Sequence, residues 1–262
     1  MIGAMRSQIR NTIVCCFLFF ASLGAQSQAE PHAHDAGRIV VILAHPDDEL
    51  VFAPALHRTA REGSEIELVF ATTGDQGAGI SQMKRGDALG QTRMREAECS
   101  ARALGARQVI SLNLGDGRLG IEARKPGSAA KRLLEKLPEL VAGAQTVITF
   151  GPEGGYGHSD HRMTGAIVTQ HVQSLAPEAR PDLVYPALIH GPLPAQLAQQ
   201  GWTLTAPDLA GIRTRYDGAD LAAANSAAQC YITQFDEQTR SLIVPGFDRF
   251  VWQGEVSFRR AF

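Results

Sequence analysis

The sequence predicts an α/β fold with a doubly wound, mainly parallel sheet and helices on both faces. Three observations predict it. Short apolar runs rich in β-branched residues alternate with stretches of helical period over the first two thirds of the chain. The first run, Arg38 to Ala44, is continuously apolar, as a strand buried on both faces must be. Glycine and acidic residues punctuate the changes of period.

Taken in order, Arg38 to Ala44 is the first strand, and Leu50 to Arg61 is a helix opened by acidic residues. Glu65 to Thr73 is the second strand, followed by a loop with Gly74, Gly77 and Gly79 and a helix from Thr92 to Leu104 that stops at Gly105. Gln108 to Leu112 is the third strand, and Ser128 to Val141 reads as a helix broken near Pro138. Thr146 to Phe150 and Asp182 to His190 are the fourth and fifth strands, with a helix from Arg162 to Leu175 between them. This alternation gives the Rossmann-like strand order 3-2-1-4-5. Beyond His190, itself placed to line a pocket at the end of its strand, the pattern loosens. Leu221 to Phe235 reads as one long helix, and Phe250 to Phe258 as one or two late, antiparallel strands. His57 and His171 fall within helices and read as packed or solvated.

With 262 residues the chain can bury one substantial core. A net charge of -2 without a basic stripe provides no footprint for nucleic acid or an anionic membrane. The N-terminus differs: Arg6 and Arg10 precede an apolar run from Ile13 to Leu23, and Ser27-Gln28-Ala29 follows. These are the parts of a secretory signal over residues 1–29, too short to span a bilayer, with a single domain over 30–262. The expectation is export to the periplasm or medium, with no stable membrane insertion after cleavage. His32 and His34, in the segment Glu30 to Gly37, read as non-functional. After the signal only Cys99 and Cys230 remain, free to pair or to be buried as thiols. No Cys-x-x-Cys occurs, so any metal is held by nitrogen and oxygen.

Two segments carry the chemistry. Ala44-His45-Pro46-Asp47-Asp48-Glu49 follows the first strand, and Gly157-His158-Ser159-Asp160-His161 follows the fourth. In the predicted order these strands are neighbours where the winding reverses, and ligands bind beyond their carboxyl ends. Topology therefore brings both segments to one crevice. His45 and Asp48 lie three apart, as do His158 and His161, so each pair can project toward a common point. Three such ligands with one open position make a hydrolytic metal site. Capping of helix N-termini accounts for the carboxylates alone but leaves the three histidines unexplained. A dinucleotide site would need Gly-x-Gly-x-x-Gly where His45 to Glu49 stands. Spacing does not decide which aspartate is the ligand.

The two motifs resemble those of the LmbE-like or PIG-L family of zinc-dependent N-deacetylases. The resemblance extends through Gly74-Asp75-Gln76-Gly77, Arg93-x-x-Glu96, Leu104-Gly105 and Asp116-Gly117, covering roughly Arg38 to Thr164. It is looser around Tyr231-Ile232-Thr233-Gln234. What it implies is that His45, Asp48 and His161 ligate zinc, or Fe²⁺ or another divalent ion in its place. Asp47 would be the general base, and His158 the charged partner of the developing oxyanion, oriented by Asp160.

Arg93 could bind substrate or pair with Glu96 on the helix surface; Asp116 could accept a sugar hydroxyl or simply make a turn. The implied substrate is an N-acetylated sugar or glycoconjugate. The competing readings are an amidase on a larger glyco- or thiol-conjugate, a carbohydrate-binding protein without catalysis, and a two-metal phosphoesterase.

Overall fold

Both faces of β1 (Arg38–Leu43) are apolar, and this puts the strand at the centre of the sheet. Val41 and Leu43 join one core cluster, Val40 and Ile42 the other, and none of the four reaches solvent. The computed structural model describes residues 37–262 except 190, 192 and 194. The signal-like segment, His32, His34 and His190 lie outside the described residues.

β1 pairs in parallel with β2 (Glu65–Phe70) and β4 (Thr146–Ile148). β2 carries β3 (Gln108–Ser111), and β4 carries β5 (Asp182–Ala187), also in parallel. Two further strands, β6 (Ile212–Arg215) and β7 (Glu255–Arg260), extend the sheet antiparallel, so its order is β3-β2-β1-β4-β5-β7-β6. The five parallel strands have the order read from the sequence. β6 went unforeseen because it is a four-residue strand of alternately half-buried and exposed residues without an apolar face.

One face carries α1 (Ala53–Arg61) and α2 (Asp87–Ala103); the other carries α3 (Ala129–Val141) and, after the short irregular turn α4 (Gly154–Gly157), α5 (Ser159–Ser174). After β5 come α6 (Ala195–Gln200), α7 (Gly218–Gln229) and α8 (Glu237–Phe247). α7 packs on α1, α2 and α8. No helix of the described residues is long and apolar enough to cross a membrane.

Two helices depart from the sequence reading. α3 runs through Pro138 unbroken, because Pro138 faces solvent while Leu133, Leu137 and Leu140 bury the opposite face. The segment Leu221 to Phe235 is not one helix. α7 ends at Gln229, Cys230 is bridged to Cys99, Tyr231 drops fully into the core, and Asp236 caps a new helix by accepting the Thr239 N–H at 2.7 Å.

Candidate metal centre

The loops leaving β1 and β4 open on the same crevice, since these neighbouring strands stand where the winding reverses. In the β1 loop Asp48 Oδ2 accepts the N–H groups of Ala44 at 3.1 Å and His45 at 2.9 Å, closing a tight turn. Its Oδ1 then lies 3.0 Å from His161 Nε2 at the start of α5. His45 Nδ1 is 3.2 Å from His161 Nε2 and 3.8 Å from Asp48 Oδ2. Donor atoms about 2.05 Å from a tetrahedral ion stand about 3.3 Å apart, and two sides of this triangle, His161 Nε2 to His45 Nδ1 and His161 Nε2 to Asp48 Oδ1, are close to that spacing.

The tautomers agree. His161 Nδ1 lies 3.2 Å from the Gly154 carbonyl, which takes its proton and leaves the Nε2 lone pair for the triangle. His45 turns its buried Nε2 to Asp116 Oδ1 at 3.2 Å and Asp160 Oδ2 at 3.6 Å; neither contact is an aligned hydrogen bond. Electrostatics point the same way. Burial disfavours charge on His45, but the Asp116, Asp160 and Asp48 carboxylates outweigh it and push its pKa up to about 10. Burial raises Asp48, yet His161 and His45 hold it well below the usual carboxylate range. Several carboxylates thus compete for positive charge, and two imidazoles with a carboxylate are donors a divalent cation accepts. The residues fit a metal ion.

His158 adds a further nitrogen within 4.8 Å of those of His45 and His161. It caps α5: its Nδ1 accepts the Asp160 N–H at 3.2 Å, so the ring proton sits on Nε2. Burial, with His45 and His161 beside it, lowers its pKa from the ordinary imidazole value.

Two expected roles change. The carboxylate of Asp160 does not orient His158; it accepts N–H from Gly117 at 2.7 Å and Leu119 at 3.3 Å and flanks His45, while its backbone amide holds His158. Arg93 is only 3% exposed and donates to the carbonyls of Pro46 at 2.6 Å and Gly74 at 3.1 Å, with Asp47 Oδ2 at 3.3 Å. It therefore steadies the β1 loop instead of presenting itself to substrate. Nor does it pair with Glu96, which is buried and accepts from the Thr233 N–H at 2.8 Å and hydroxyl at 2.7 Å. Asp116, expected to accept a sugar hydroxyl or make a turn, faces His45 Nε2 with Oδ1 and accepts the Gln76 N–H at Oδ2 at 3.2 Å.

Asp47 sits between these groups with a left-handed backbone at φ 94°. Burial pushes its carboxyl up and Arg93 pulls it down, with a net rise to about 6.

Residues 40–172 match the family described as "PIG-L: GlcNAc-PI de-N-acetylase". The chain belongs to the PIG-L family. It is 36% identical over 142 residues to the 1D-myo-inositol 2-acetamido-2-deoxy-alpha-D-glucopyranoside deacetylase of Corynebacterium efficiens, covering 47% of this chain and 45% of that protein. The chain thus spans about half the length of such curated relatives. Among solved structures it resembles N,N'-diacetylchitobiose deacetylase from Pyrococcus horikoshii, with a TM-score of 0.63 at 19% identity over 86% of this chain and 84% of that one. The 4-carboxy-2-hydroxymuconate hydratase GalB of Pseudomonas putida matches with a TM-score of 0.58 at 14% identity, over 86% and 96%. The fold alone therefore does not name the reaction.

Other residues at the centre escaped the sequence reading. Tyr156 sets its ring 5.2 Å from His161 and 6.0 Å from His158, and it is 38% exposed. The glycines around it, in a loop that bears two histidines, were the available signal. Trp202, beyond the PIG-L match, stacks at a tilt 5.1 Å from Tyr156; nothing local in the sequence marks it.

Proposed function

We propose that this chain is a zinc-dependent N-deacetylase that removes acetyl from an amino sugar or glycoconjugate. The observation that carries the reading is the division of roles within one loop. His45 and Asp48 turn their donor atoms to His161, whereas Asp47, between them in sequence, keeps its carboxylate against Arg93. A phosphoesterase with two metals would need bridging carboxylates, and Asp160 already accepts backbone N–H groups at both of its oxygens. The β1 loop holds, beside the two candidate ligands, a carboxylate outside the ligand set, which argues against a binding protein without catalysis.

Zinc held by His45, Asp48 and His161 would lower the pKa of water to near 7 and polarise a carbonyl. Asp47 takes a proton from the attacking water, helped by a pKa of about 6 that leaves it ionised yet basic at neutral pH. The water oxygen bonds to the acetyl carbon and the C–N bond breaks; Asp47 returns the proton to the departing nitrogen. The products are acetate and a free amine. His158 donates from Nε2 to the carbonyl oxygen as negative charge grows there.

The named relatives act on acetamido sugars linked to inositol or to a second sugar, which supports a sugar substrate here. Export is supported by the signal-like N-terminus and by the Cys99–Cys230 bridge, a bond that persists in oxidising compartments. The test is a panel of N-acetylated sugars, glycan fragments and simple amides, read by released acetate and amine. Activity should vanish with a chelator and return with one equivalent of Zn²⁺. A metal-loaded protein that releases no amine but hydrates an enol acid would overturn the reading.

A further inference from the structure

Glu49 is the one polar residue of the β1 loop that the deacetylase reading leaves without work. It is completely shut off from solvent. Its Oε1 accepts the Ser100 hydroxyl at 2.6 Å and the Tyr231 hydroxyl, and its Oε2 accepts the Asp47 N–H at 3.2 Å. Asp47 is the residue with φ 94°, a conformation that a side chain other than glycine leaves unless it is held.

The two hydroxyl donors come from places far apart in sequence, Ser100 on α2 and Tyr231 just beyond α7. Cys99 and Cys230 immediately precede them, and these are the two cysteines that are bridged, across 131 residues. One covalent link therefore fixes the separation of the two groups that grip Oε1. Thr233, two residues beyond Tyr231, is tied to α2 a second time through Glu96. The two bridged cysteines are half-buried residues.

We propose that Glu49 is a positioning residue for Asp47, and that the Cys99–Cys230 bridge braces the Ser100 and Tyr231 grip on it. The chain of action runs from the bridge to the two hydroxyls, to the Glu49 carboxylate, to the Asp47 amide, and so to the aim of the Asp47 carboxylate. It rests on the deacetylase reading for its kinetic readout only. A dithiol opens the bridge by giving up two electrons and two protons; two cysteine thiols form and the dithiol becomes a cyclic disulfide.

The experiment compares Glu49→Gln, the Cys99→Ser/Cys230→Ser pair, and both together. Tyr231→Phe, which keeps the buried ring, guards against a variant that merely fails to fold. In Glu49→Gln an amide N–H would face either a hydroxyl donor or the Asp47 N–H, and kcat should fall roughly tenfold, the scale of one buried donor left unpaired. The bridge variant and dithiol-treated protein should show a smaller fall in kcat. KM and zinc content should stay level in each, and the combined variant should be no slower than Glu49→Gln alone, as for parts of one chain of action.

Independently of turnover, amide hydrogen exchange over residues 45–52 should quicken in the bridge variant and in Glu49→Gln, while β2 keeps its protection. Losses that add independently, or a change confined to KM, zinc content or thermal stability, would overturn the proposal. If the wild-type protein releases no amine, the deacetylase reading fails, but the exchange measurement still decides: unchanged exchange over 45–52 removes the brace.

Discussion

The two loops that meet at the metal centre are held in opposite ways. Ala44 to Glu49 is locked by buried polar groups: Arg93 on its carbonyls, Asp48 on its amides, and Glu49 under Asp47. Gly154 to His161 is shaped by glycines with positive φ at 154, 155 and 157 and steadied by rings, Phe150 stacking on His161 with centroids 4.5 Å apart. The first of these loops contains a strained non-glycine residue, Asp47, and such strain, worth roughly 1–3 kcal/mol, survives only where the surroundings over-determine it. The other loop leaves Tyr156 and His158 partly open to solvent.

The largest expected effect breaks the centre itself. His161→Ala should lose the metal on dialysis, read by elemental analysis, with turnover falling to background. Asp47→Asn should separate ligand from base, lowering kcat by roughly 10²- to 10⁴-fold while metal content holds. Equal loss of metal would mean that Asp47 and Asp48 have each other's roles.

The next effect sharpens the contrast between the loops. In the proposed mechanism turnover needs ionised Asp47, whose carboxyl burial pushes up to about 6, so kcat/KM should fall on the acid side with a midpoint no higher than about 6. A bound cation would move that midpoint lower still. Arg93 stabilises the charged form, so Arg93→Met should carry the acid limb to higher pH. A substrate-binding arginine would instead raise KM and leave the limb in place, and a pH–rate series distinguishes the two.

The smallest effect belongs to the substrate side. Trp202→Ala removes the ring packed on Tyr156 and should raise KM by roughly two- to tenfold, with metal content unchanged. Steady-state kinetics on one acetamido sugar would measure it.

Period and composition were enough to read β1 to β5 and their order, because a strand buried on both faces must be written as an apolar run. Two dense polar motifs at the ends of β1 and β4 could likewise be read as one centre, since winding direction alone makes them neighbours. Roles within the centre were less legible. The resemblance assigns Asp160 to His158 and residue type suggests substrate binding for Arg93, but what each one does depends on where its polar atoms point after burial.

The sequence by itself determined the parallel sheet, the crevice and the residues that gather in it. Only the tertiary structure decided how those residues are braced. Ser100, Tyr231, Glu96, Thr233 and Trp202 act across separations of 46 to 182 residues, and the bridge that pairs Cys99 with Cys230 spans 131. Local periodicity records which face of an element is buried. It holds no record of which distant hydroxyl, carboxylate or ring will meet that face, because those partners are chosen by packing.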